Sequence, residues 1–183
     1  MGIGLYNYTL CTMKEKYVSL YMDIAARISQ MSFADRLKVG SILVKDNRIL
    51  SYGWNGTPSG WDNSCEDKEW CSAGGWLSPE EIEEMWPYEG TYIDDDGNEM
   101  RGRYRLKTKP QVLHAERNAL DKVAASNESS KNSWMFTTHS PCLECAKSIY
   151  SSGITRVHYK DHYRTDEGVI FLEKCGVEVK QIK

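Results

Sequence analysis

Residues 133–160 read SWMFTTHSPCLECAKSIYSSGITRVHYK, and this stretch decides the fold. Ser133 to Thr138 is an apolar run of strand length. Pro141 to Ser151 has helical spacing, with a proline suited to a first turn. Gly153 is a natural stop before a second strand, Ile154 to Lys160. Downstream, a helix over Thr165–Cys175 closes at Gly176, and Val177–Ile182 is a last strand. Upstream, His114 to Ala125 reads as a helix with Ala119, Leu120 and Val123 on its apolar face. Before that, VGSILV and ILSYGW flank the polar KDNR, the pattern of a β-hairpin. Met13 to Met31 places Tyr17, Tyr21, Ile24, Ala25, Ile28 and Met31 at spacings of three and four, an amphipathic helix. A hairpin followed by alternating helices and strands predicts an α/β fold, a mixed five-stranded sheet with helices on both faces.

The segment between hairpin and third-quarter helix differs in composition. Residues 61–113 hold 13 acidic and 6 basic side chains, against 13 and 17 in the remainder, and four of the six tryptophans. It reads as one insertion, at about 61–113, in a single domain of 183 residues. It is rich in turn formers, with a short helix expected over Glu80–Trp86 after Ser78 and Pro79. Asp94-Asp95-Asp96 followed by Gly97 is expected to be a solvated turn, since the glycine falls too early for an EF-hand loop. A net charge of −3 argues against a protein that grips many phosphates, so no stable nucleic-acid partner is expected. No apolar run is long enough to span a bilayer. The start, MGIGLYNYTL, lacks the basic and apolar regions of an export signal, and Tyr6 breaks the myristoylation pattern. The expectation is a soluble, cytoplasmic protein without a membrane partner.

Six cysteines (11, 65, 71, 142, 145 and 175) allow three disulfides, but that reading requires a secreted setting. Cys142 and Cys145 stand apart from the rest. At i and i+3 of a first helical turn they face one ion together, and a helix N-terminus favours their thiolate form. His114, at another helix start, completes the three N/S donors of a catalytic zinc site with one position open for water. Glu116, two residues on, is placed to handle protons there. Two other readings compete: a closed structural zinc site with His139 as fourth ligand, or a redox pair.

The segments KVGSILV, GWNGTPSG, HAERNAL, TTHSPCLECAK, SGI and HYRTDEG resemble the cytidine deaminase superfamily, and within it the deoxycytidylate (dCMP) deaminases. They cover most of residues 30–180. The resemblance implies a three-layer α/β/α fold, one catalytic Zn²⁺ per chain on His114, Cys142 and Cys145, and Glu116 as catalytic residue. It implies hydrolysis of dCMP to dUMP and ammonia, feeding thymidylate synthesis. Asn55 would hydrogen-bond the sugar or base, although Asn55-Gly56 is also an ordinary turn dipeptide. Ala115, His139, Ser140, Tyr163 and Arg164 are the further candidates for binding substrate, the last two in HYRTDEG. The loop with Gly56, Thr57, Pro58 and Gly60 resembles the family's regulatory site, where dCTP with Mg²⁺ activates and dTTP inhibits. Arg36 and Lys38 serve either substrate or effector. Family members form homo-oligomers, commonly hexamers. In some, a second zinc sits in the insertion near Cys65 and Cys71, but residues 61–113 contain no histidine, so none is expected here. Cys11 and Cys175 read as plain thiols.

Two alternatives remain. A deaminase of bases in polynucleotides (tRNA adenosine or single-stranded DNA) would use the basic run Arg101, Arg103, Arg105, Lys107 and Lys109. A non-catalytic zinc-stabilised module would have no need of Glu116.

Overall fold

The computed structural model describes residues 13–72 and 76–182. The N-terminal stretch and Cys11 lie outside the described residues. The element order is α1 (Glu15–Ser29), β1 (Gly40–Lys45), β2 (Arg48–Trp54), β3 (Glu66–Trp70), α2 (Pro79–Met85), β4 (Tyr88–Ile93), β5 (Glu99–Thr108), α3 (Ala115–Ala124), β6 (Trp134–His139), α4 (Leu143–Ser151), β7 (Arg156–Asp161), α5 (Glu167–Lys174) and β8 (Glu178–Gln181).

Five strands form one mixed sheet in the order β2-β1-β6-β7-β8. The hairpin β1–β2 turns through Asp46 and Asn47, both with positive φ (51° and 58°), the geometry of a two-residue type I′ loop. β1 pairs antiparallel with β6, and β6, β7 and β8 run parallel through the α4 and α5 crossovers. Alternation along the central strands splits the core. Leu43, Met135 and Val157 face Leu120, Ile149 and Leu172 of the helices α3, α4 and α5. Ile42, Val44 and Phe136 face Tyr21, Met22 and Ala25 of α1. Both faces are covered, which is why these strands read as unbroken apolar runs. Each of the leucine, isoleucine, valine, methionine and phenylalanine side chains contributes about 1.5–3 kcal/mol by leaving water.

Two details bear on the site. Pro141 does not occupy the first turn of α4: Cys142 is the N-cap with extended backbone (φ −68°, ψ 167°), so the proline precedes the cap. Gly53 of β2 lies so close to Ala115 and Ala119 that a β-carbon would overlap their backbone atoms. α3 therefore rests directly on β2, pinned by Ser51 Oγ to Ala119 O (2.7 Å) and Asn118 Nδ2 to Trp54 O (2.9 Å).

Between β2 and α3, where turns and one short helix were expected, the chain builds a second sheet of three antiparallel strands, β3-β5-β4. The expected helix is present as α2, with Ser78 and Glu81 forming a capping box. One face of the sheet stacks Trp70, Tyr92, Tyr104 and Tyr88. The other carries the arginines of β5 in ion pairs: Arg101 and Arg103 to Glu89, Arg103 also to Glu83, and Arg105 to Glu69. Asp94 caps the β4–β5 turn by accepting from the backbone N–H of Asp96 and Asn98. Buried Cys65 packs with Ala34 and Val112 where this sheet meets the main one. Among the described residues no helix is long and apolar enough to cross a membrane.

Candidate active site

The ends of three elements converge. His114 is the N-cap of α3, Cys142 the N-cap of α4, and Cys145 the third residue of that helix. Register in the main sheet, rather than sequence proximity, brings the two helix starts together. His114 Nδ1 lies 3.5 Å from Cys142 Sγ and 3.3 Å from Cys145 Sγ. The three donor atoms all fall within 4.8 Å of one another. Tetrahedral zinc, with bonds of about 2.3 Å to sulfur and about 2.0–2.1 Å to nitrogen, requires an N···S separation of about 3.5 Å. The donor set fits zinc in both chemistry and spacing. His139 does not join the cluster, so the described residues supply three ligands and leave the fourth position open.

Electrostatics point the same way. Hydrogen bonding from Cys145 holds the Cys142 thiol down to about 4 against burial, with His114 helping. The same bond, with burial and the nearby Glu116, pushes Cys145 up. His114 is raised first by its hydrogen bond to Cys142. These groups crowd around shared protons, and a divalent cation in that place replaces them.

Glu116, in the first turn of α3, is buried at 5% exposure. Its Oε2 lies 3.6 Å from Cys145 Sγ. Burial pushes its carboxyl up from the ordinary glutamate range. A carboxylate beside the donor cluster, but outside it, is placed to carry protons.

A cavity opens on this group. Of the residues expected to bind substrate, Asn55, Ala115, His139, Ser140 and Tyr163 line it. Arg164 does not; it is exposed, with its guanidinium 5.8 Å from the Tyr163 ring centroid. Asn55 is largely occupied with its own chain: Oδ1 accepts from Val39 N (2.7 Å) and Nδ2 donates to Leu37 O (2.8 Å). These bonds hold the 37–39 segment against the cavity and leave one amide hydrogen for a ligand. Ser140 Oγ accepts from Tyr163 N at 2.7 Å and so fixes the loop that presents the tyrosine ring. Burial lowers the pKa of His139, with Asp161 opposing, so the imidazole is neutral at pH 7.

Arg36 lines the cavity, and among the described residues it has no carboxylate within ion-pair distance. Lys38 is exposed and lies off the lining, as do Gly56, Thr57, Pro58 and Gly60. That loop is nonetheless tied to the centre. Gly56 and Leu113 exchange two backbone hydrogen bonds, 3.1 and 2.9 Å, directly before His114. Sequence reasoning missed Leu37, Val39, Glu66, Thr108 and Val112, which complete the lining. Glu66 and Thr108 come from the second sheet, and no local signal marks them.

Comparison with known proteins agrees with this geometry. Residues 15–161 match the family described as the cytidine and deoxycytidylate deaminase zinc-binding region. The deoxycytidylate deaminase of Enterobacteria phage T4 is 33% identical over 171 residues, covering 88% of this chain and 87% of that protein. That of Mycobacterium phage D29 is 30% identical, covering 76% and 90%. The crystal structure of the dCMP deaminase from cyanophage S-TIM5, in complex with dCMP and dUMP, aligns with a TM-score of 0.71 at 38% identity, covering 93% of this chain and all of that one.

Proposed function

The chain belongs to the cytidine and deoxycytidylate deaminase family, and on that premise we propose how its own residues convert dCMP and water to dUMP and ammonia. The observation that carries the reading is the three-donor cluster with a buried carboxylate beside it, open to a cavity. Zinc bound there supplies a Lewis acid that brings the pKa of water toward about 7. Glu116 accepts a proton from the attacking water and delivers it to ring nitrogen 3. The water oxygen bonds to carbon 4. Glu116, again ionised, takes the second proton from that oxygen and passes it to the amino group. The carbon–nitrogen bond then breaks to release ammonia and leave the carbon 4 carbonyl of dUMP. One buried carboxylate serves as base and then as acid.

The remaining roles follow from position. The free amide hydrogen of Asn55, the backbone at Ala115 and the Tyr163 ring bound the base and sugar, with Ser140 holding Tyr163 in place. Neutral His139 offers hydrogen bonding without charge. Arg36, which has no carboxylate partner among the described residues, takes the 5′-phosphate; Arg164 stands outside the lining and is given no such role. The Gly56–Gly60 loop with Lys38 is the effector site, for dCTP with Mg²⁺ as activator and dTTP as inhibitor, and the Gly56–Leu113 bonds link it to His114. The reading extends to one deaminase unit with an insertion at about 61–113, to a homohexamer, and to work in the cytoplasm, where thiols stay reduced and available as ligands. The polynucleotide alternative loses its main support, because Arg101, Arg103 and Arg105 are all ion-paired within the second sheet.

The deciding assay measures ammonia release from dCMP, deoxycytidine and single-stranded oligonucleotides, each with and without dCTP and Mg²⁺. Release from dCMP, stimulated by dCTP, is expected. Release only from oligonucleotides, or none at all, overturns the reading.

A further inference from the structure

Glu66 and Thr108 are the one pair of cavity residues supplied by the second sheet. They face each other in the β3–β5 ladder. Glu66 Oε2 accepts from the backbone N–H of Asp35 at 3.2 Å, a bond that crosses from the second sheet to the main body. The buried contact of Cys65 with Ala34 and Val112 fixes the same junction. One carboxylate oxygen is thus anchored. Among the described residues Oε1 of Glu66 and Oγ1 of Thr108 have no hydrogen-bond partner. Arg36 shares the cavity wall, yet it is not ion-paired with Glu66. The wall therefore includes a cation and an acceptor that, among the described residues, are not paired with each other.

That pattern is complementary to a nucleotide. A phosphate goes to Arg36, and a carboxylate repels it. Glu66 must therefore accept a hydrogen bond from an uncharged donor. Outside the phosphate, dCMP has two: the amino group on carbon 4 and the 3′-hydroxyl of the sugar. The amino group departs at the reacting centre, beside Glu116. The 3′-hydroxyl is what remains. We propose, resting on the deaminase reading, that Glu66 is the acceptor that reads the 3′-hydroxyl of the deoxyribose, with the Thr108 hydroxyl beside it, so that the second sheet forms part of the substrate site and selects for a free sugar 3′ position. A substrate whose 3′-oxygen is missing or esterified leaves a polar carboxylate without its donor, which costs more than the bond itself contributes.

The test compares dCMP with 2′,3′-dideoxycytidine 5′-monophosphate in the wild type, Glu66→Ala and Thr108→Val proteins. The wild type is expected to favour dCMP in kcat/KM by about ten- to a hundredfold, the range for a hydrogen bond to a charged acceptor. Glu66→Ala should lose that preference, falling on dCMP while changing little on the dideoxy substrate. Thr108→Val should narrow it by a smaller factor. Equal use of the two substrates by the wild type overturns the proposal without any variant. Equal losses on both substrates in Glu66→Ala, the mark of a structural role, overturn it as well. A wild type that turns over neither substrate overturns the deaminase reading and this inference together, whereas turnover of dCMP without discrimination overturns this inference alone.

Discussion

Gly168, in the first turn of α5, lies against Pro141 so closely that a β-carbon on it would overlap the proline carbonyl oxygen. The carbonyl of Cys142 is the next contact. The segment that presents the first cysteine is thus clamped from behind by a helix with no side chain at the contact. Gly168→Ala is expected to destabilise the protein by about 1–3 kcal/mol through overpacking. It should also loosen zinc retention, because the strain is relieved by moving Pro141 and Cys142. Thermal unfolding with and without a chelator checks this: the variant should respond to chelator at lower concentration than the wild type. An unchanged midpoint would show that α5 shifts freely.

Glu116→Gln should keep its metal and lose turnover. The amide is of the same size but cannot accept and return a proton, so a loss of at least about 10²-fold is expected. Zinc content by atomic absorption, read beside ammonia release, separates this from loss of the site. Near-normal activity with zinc bound would remove Glu116 from the mechanism.

Metal analysis should find one zinc per chain. Cys65 is buried against Ala34 and Val112, and the described residues hold a single His/Cys cluster of ligand geometry. Cys142→Ala should abolish both metal binding and activity, while Cys71→Ala should leave the metal content at one. Two equivalents in the wild type would place a second ion in the insertion.

Arg36→Ala should raise KM for dCMP by about ten- to a hundredfold, the effect of losing a charge-assisted bond to phosphate. Deoxycytidine, which lacks the phosphate, should be used equally by variant and wild type. A parallel loss on both compounds would point to a folding role in the segment before β1.

His158 predicts an acid-sensitive fold. Its ring is stacked between Trp134 and Phe136 at 4% exposure, and Nδ1 has no partner among the described residues. Burial above all, opposed by Glu178 and aided by Lys180 and Arg156, lowers its pKa from 6.5 to about 4. The unfolded chain therefore binds a proton near pH 6.5, while the folded one resists until about pH 4. This contribution is intact above pH 6.5 and lost as pH falls toward 4, by about 2–3 kcal/mol. Urea midpoints measured across that window should fall in the wild type and fall less in His158→Phe. Parallel curves would assign the acid sensitivity to other groups.

What could be read from the sequence was local. Apolar spacing of three and four placed α1 and α3, and apolar runs of strand length bounded by turn residues placed the hairpin and the parallel strands. The zinc ligands were legible because Cys142 and Cys145 are one turn apart and His114 and Glu116 sit on a single helix start. Errors at element ends were small: α4 begins after Cys142, since that residue keeps extended backbone as the cap. The larger omission was β3-β5-β4. In β5, Met100, Gly102, Tyr104 and Leu106 alternate with Arg101, Arg103, Arg105 and Lys107, a strand pattern masked by its charge. Those arginines resemble a nucleic-acid surface until their acidic partners, Glu69 and Glu89, are brought alongside by strand pairing. The sequence by itself therefore determined the metal chemistry and the layered fold, because ligand spacing and amphipathic periodicity are properties of a few neighbouring residues. Only the tertiary structure decided what surrounds that chemistry. Arg36, Asn55, Glu66 and Thr108 reach one cavity through long-range strand register and the buried junction at Cys65, and no local pattern encodes such pairings.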